Sequence, residues 1–201
     1  MELPRQEVVD EILSLDNVSK IEYECHTIVC GKVLSSILSR PYLKQIAFDG
    51  AFDSVRFDTE EEFTKNFYVE EIEFDFHFLM PFKLWNKLFD ALPNIKKVKI
   101  FVGLYEDELK AWNLSDYIKT LSKLKLLKSL HVSIRYGEKF DFGNFPETIC
   151  EINFPVKSEV VIATGPIYNG PGTNLVEKKE GENPKIVNRR LSQSLFSRYF
   201  E

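Results

Sequence analysis

No apolar run in this chain of 201 residues approaches the ~18 residues that a membrane-spanning helix requires. The opening MELPRQEVVDEILSL has neither the basic flank nor the apolar core of a secretory signal. Cysteine is scarce: Cys25, Cys30 and Cys150 are too few for a disulfide framework and leave one thiol over. Positive charge is in deficit, 26 Lys and Arg against 31 Asp and Glu, which argues against nucleic-acid binding through the whole surface. These absences predict an intracellular protein, cytoplasmic or nuclear, with neither membrane nor nucleic acid as a partner. The N-x-S sequons at Asn17 and Asn113 then carry no meaning as glycosylation sites.

Signatures of catalysis and metal binding are missing as well. ECHTIVC offers Cys25, His26 and Cys30, but a zinc site needs a fourth ligand and Cys150 is distant. His77 and His131 are not accompanied by a G-x-S-x-G elbow or a comparable nucleophile signature. TGPIYNGPGTN is rich in Gly and Pro but lacks the Gly-Lys-Ser/Thr ending with which a phosphate loop holds its ligand. No metal, no cofactor and no enzymatic activity are expected.

What the chain does have is 44% hydrophobic residues, enough for a substantial core, and a period. The pattern Φ-x-x-Φ-x-Φ occurs six times: VSKIEY at 18, LKQIAF at 43, VEEIEF at 69, IKKVKI at 95, LKSLHV at 127 and ICEINF at 149. Successive starts differ by 25, 26, 26, 32 and 22 residues, a spacing that marks repeated supersecondary units. Between these runs lie segments of helical spacing: Val33, Leu34, Ile37 and Leu38, then Phe82, Trp85, Leu88 and Phe89, then Leu114, Tyr117, Ile118 and Leu121. Strands joined by helical crossovers pair in parallel. Trp85, in step with Phe82 and Phe89, is expected in the core.

The pattern resembles the leucine-rich repeat family, whose L-x-x-L-x-L core is matched from about residue 3 to residue 157. The resemblance implies an α/β solenoid: a curved parallel sheet of about six strands with helices on the convex side, as in the ribonuclease-inhibitor and F-box-associated kinds of repeat. The position three beyond the last strand residue, often Asn or Cys in the family, holds His26, Ala51, His77, Gly103, Arg135 and Lys157. A divergent, irregular array is therefore expected over 1–157, followed by an irregular or flexible linker over 158–185 and an amphipathic segment or cap over 186–201.

Side chains alternate along a strand, so the residues between the apolar positions face away from the core onto an open, concave surface. They are Lys20, Glu22 and Glu24; Gln45, Ala47 and Asp49; Glu71, Glu73 and Asp75; Lys97, Lys99 and Phe101; Ser129, His131 and Ser133; Glu151, Asn153 and Pro155. Acid gathers on the first three strands and lysine on the fourth, which predicts cross-strand Glu71–Lys97 and Glu73–Lys99 pairs. The candidate contacts for a partner protein, one with a basic segment, are Glu22, Asp49, Glu71, Glu73, Asp75, Lys97, Lys99, Phe101 and His131. Tyr105 and Trp112 join them from the longest interval, G103-LYEDELKA-W112, where burial under the loop is the alternative.

Two termini complete the reading. LPRQEVVDEILSL resembles the opening helix of an F-box, with Leu3, Pro4, Val8 and Ile12 at matching positions, although a repeat helix is the more economical assignment because a repeat strand starts at Val18. In NRRLSQSLFSRYFE, Leu191, Leu195, Phe196, Tyr199 and Phe200 share a helical face, as a cap or a docking motif, and the arginines before Ser192 resemble a basophilic phosphorylation site. The whole predicts a non-catalytic protein-interaction adaptor. The alternative is a substrate-recognition subunit of a ubiquitin ligase with a degenerate F-box-like N-terminus.

Overall fold

The computed structural model describes residues 10, 14, 17–24, 31–50, 62–76, 81–104, 114–136, 144–166 and 173–190. Among them run β1 (Lys20–Glu24), α1 (Gly31–Leu38), β2 (Gln45–Gly50), β3 (Glu71–Phe76), α2 (Phe82–Asp90), β4 (Lys97–Leu104), α3 (Leu114–Leu121), β5 (Ser129–Tyr136), α4 (Phe145–Cys150), β6 (Glu159–Pro166), β7 (Thr173–Lys178) and β8 (Lys185–Arg190). The protein is α/β. Its described strands form one eight-stranded sheet in sequential order from β1 to β8, not closed into a barrel. Every neighbour from β1 to β6 is parallel, and β7 and β8 finish the sheet antiparallel.

Register is uniform across the parallel part. Ile21, Ile46, Ile72, Val98, Leu130 and Val160 are mutual partners, as are Tyr23, Phe48, Phe74, Ile100, Val132 and Ile162. These two rows turn toward the helices and form one hydrophobic cluster with Val33, Leu34, Leu84, Trp85, Leu88, Ile118, Leu121 and Ile149. The second row is aromatic at its start, where Phe48 stacks on Phe74 at 5.4 Å between ring centroids. Trp85 is fully buried, 5.0 Å from Phe74, and its indole N–H donates to the Tyr117 carbonyl. Phe82, aligned with it in sequence, is 41% exposed, and Leu84 takes the inner place.

The turns into the strands are latched by one repeated device. The carbonyl of Ser19 accepts the N–H groups of Lys44 and Gln45; Lys44 accepts those of Glu70 and Glu71, Glu70 those of Lys96 and Lys97, and Lys96 those of Lys128 and Ser129. Asn66, buried, ties two units further: its side-chain amide donates to the Leu38 and Arg40 carbonyls, and its oxygen accepts from the N–H of Tyr68 and Val69.

Two expectations from sequence give way. ICEINF is not the sixth strand: residues 145–150 are α4, and Glu151, Asn153 and Pro155 lie in the following turn rather than on the sheet. Ile149, Ile152 and Phe154 are buried, because a spacing of three then two serves the end of a helix and its turn as well as a strand. The stretch 158–185 is not a linker throughout, since it holds β6 and β7. Its Gly and Pro residues obscured the β-branched run of EVVIAT, a composition that favours strand. β8 runs into the start of the stretch expected as an amphipathic segment or cap, and Leu191 onward lies outside the described residues. Gly181 turns the chain between β7 and β8 at φ +78°, a conformation that glycine adopts without strain, and its N–H donates to the Val156 carbonyl. No helix among the described residues is long and apolar enough to cross a membrane.

Candidate interaction face

The face opposite the helices carries the alternate residues of every strand, brought into rows by the register. One row reads Glu22, Ala47, Glu73, Lys99, His131, Val161, Glu177 and Lys185; the rows beside it contain Gln45, Glu71, Lys97, Ser129 and Glu159, and Asp49, Asp75, Phe101, Ser133 and Ala163. Nine residues expected there from sequence are placed on this face: Glu22, Asp49, Glu71, Glu73, Asp75, Lys97, Lys99, Phe101 and His131. Tyr105, Trp112 and Ser192 lie outside the described residues, as do Leu3, Pro4, Val8 and Ile12.

Charge is divided along the sheet. Glu22, Asp49 and Asp75 are exposed on β1 to β3. At the boundary Lys97 reaches Glu71 at 3.5 Å and Lys99 reaches Glu73 at 3.3 Å, the pairs that strand alignment predicts. Each contributes roughly 0.2–1 kcal/mol, toward the low end for the more exposed Lys97. Lys20 also pairs with Glu22 within β1. At the far end of the face Arg189 stands 4.0 Å from Glu177.

Between the lysines and that end lies a less charged patch. Phe101, His131, Ser133, Val161 and Ala163 surround a notch of about 10 Å³, room for roughly one water. Burial and the Lys99 ammonium both lower the pKa of His131 against the opposing pull of Glu159, so its imidazole is neutral at pH 7. Ser133 is 5% exposed and its hydroxyl has no hydrogen-bond partner. Serine and histidine therefore share the notch without the hydrogen bond that would activate the oxygen as a nucleophile. Val161 and Ala163 escaped the sequence reading because β6 did; the period-two alternation of EVVIAT was the signal that could have found them.

Among the described residues no group of three or more His, Cys, Asp or Glu could hold a metal ion. Comparison of the chain with protein-family models, with curated proteins and with solved structures gives no match.

Proposed function

We propose that the chain is a divergent leucine-rich-repeat solenoid acting as a non-catalytic adaptor, with the face opposite the helices as its docking surface for a partner protein. The observation that carries this reading is the bipolar face itself. Exposed carboxylates on β1 to β3 and a seam of lysines on β4, with the partly exposed Phe101 and Val161 beside it, offer a basic segment both electrostatic steering and apolar contact. The near-constant period and the latch repeated at the turns into β2, β3, β4 and β5 support the repeat assignment. Helices packing at about 8–10 Å against strands spaced about 4.8 Å would bend such a stack toward its open face, making that face concave.

The reading is tested by affinity capture from native extract at low and moderate salt, comparing the wild-type chain with the Glu71→Lys, Glu73→Lys double variant and identifying bound proteins by mass spectrometry. A partner lost with salt and lost in a folded variant fits an electrostatic adaptor face. A partner indifferent to both removes the open face from the proposal.

A further inference from the structure

Seven large apolar side chains are exposed among the described residues, and five of them, Tyr42, Phe67, Tyr68, Leu126 and Val156, lie in turns leading into strands. Four hold the same station, three residues ahead of the first paired residue of the strand: Tyr42 before Gln45, Tyr68 before Glu71, Leu126 before Ser129 and Val156 before Glu159. Asn94 holds that station before Lys97. The turns are carried at strand spacing, so the file from Tyr42 to Val156 extends for roughly 20 Å. The rings of Tyr42 and Tyr68 meet at 5.6 Å.

Lysines alternate with these side chains. Lys44, Lys96, Lys125, Lys128 and Lys157 stand in the same turns, where Glu62, Glu70 and Glu151 are the acids among the described residues. Glu70 is engaged by Lys96 at 2.8 Å and Lys44 at 3.9 Å; no ion pair with a described residue joins Lys125, Lys128 or Lys157. A chain of net charge −5 thus gathers a basic, apolar edge. At its middle, beside Asn94, opens a cleft of about 510 Å³ between α2 and α3, with Phe89, Pro93, Leu124 and Lys125 among its walls.

We propose that this edge is a second docking surface, whose partner is an acidic peptide segment with aromatic or aliphatic anchors. The lysines require negative charge opposite them, the exposed rings and aliphatic groups require apolar contact, and a file one residue wide suits a single chain laid across the turns. A flat anionic bilayer fits less well, because it would meet the carboxylates of Glu62, Glu70 and Glu151 in the same turns, which a single chain can pass between. The proposal uses none of the residues of the open face, so either surface can fail without the other.

The test is selection of twelve-residue peptides from a displayed random library on the full chain, followed by titration of the winning peptides against the wild type, Lys125→Glu with Lys128→Glu and Lys157→Glu, and Leu126→Ser with Val156→Ser. Expected are acidic winners with aromatic or aliphatic residues, amide shifts in the turns at 42, 68, 126 and 156, and binding weakened roughly tenfold by the lysine variant. The Leu126, Val156 variant weakens it too, while Glu71→Lys with Glu73→Lys leaves it unchanged; thermal melts verify that each variant is folded. Winners that are basic, or whose shifts fall on the open face, overturn the proposal. So does a chain that selects no peptide but binds phosphatidylserine vesicles through the same lysines.

Discussion

Lys99 of β4 stands opposite Glu73 of β3 with its ammonium 3.3 Å from the carboxylate, and Lys97 repeats the relation with Glu71 at 3.5 Å. The seam joins the acidic half of the face to the remainder. Replacing both glutamates by lysine sets like charges opposite one another and is expected to cost about 1–2 kcal/mol in urea unfolding. Adding Lys97→Glu and Lys99→Glu restores opposite pairing and should recover most of that loss. A quadruple variant as unstable as the double would show that cross-strand pairing is not the cause.

This seam was legible in the sequence because a parallel ladder of constant register needs only the spacing of its apolar residues. Five of the six Φ-x-x-Φ-x-Φ motifs carry Lys20, Gln45, Glu71, Lys97 and Ser129 to their observed partners. The sixth failed because Ile149, Ile152 and Phe154 satisfy burial from a helix end, and the β6 unit has Lys157 where the other five have an apolar residue. The antiparallel pair β7 and β8 was hidden by a Gly- and Pro-rich stretch, whose turn residues say where a chain bends and not what lies between the bends. The exposed file of Tyr42, Tyr68, Leu126 and Val156 was illegible for another reason. An apolar residue one place ahead of the first motif position and the residue at that position read alike until the turn geometry separates them.

Ser133 supplies a prediction of unusual sign. Its hydroxyl is buried without a hydrogen-bond partner, so Ser133→Ala removes an uncompensated desolvation cost and should leave stability unchanged or raise it by up to about 1 kcal/mol. Differential scanning calorimetry decides it. A variant that melts several degrees lower would mean that the hydroxyl contributes a favourable contact.

His131 predicts a pH dependence. Its folded pKa lies below the ordinary 6.5 because of burial, with Lys99 adding to the depression and Glu159 opposing it. The unfolded chain therefore binds the proton first as pH falls through that value, and stability is lost until the folded pKa is passed. Urea titrations between pH 7 and 5 should show a shallower decline for His131→Gln than for the wild type. The imidazole C2 proton resonance should titrate with a midpoint below 6.5, and a midpoint above it would reverse the sign.

Asn66 offers the sharpest test of what holds successive units together. Its amide donates 2.9 Å bonds to the Leu38 and Arg40 carbonyls at the end of α1, and its oxygen accepts from the N–H of Tyr68 at 2.8 Å and Val69 at 3.2 Å ahead of β3. Asn66→Ala leaves these buried groups without their partner and is expected to cost about 2–4 kcal/mol. Asn66→Asp is nearly isosteric, yet it sets a carboxylate oxygen against two carbonyl oxygens in a site only 4% exposed. Because the donor is lost while the acceptor is kept, the Asp variant separates the two ends of the latch. It should retain slow hydrogen exchange at Val69 while destabilising the chain at neutral pH at least as much as Ala, and protonating the carboxyl at acid pH should return one donor and narrow the gap. An Asp variant as stable as the wild type would mean that the bonds to α1 contribute nothing and that the turn alone sets the position of β3.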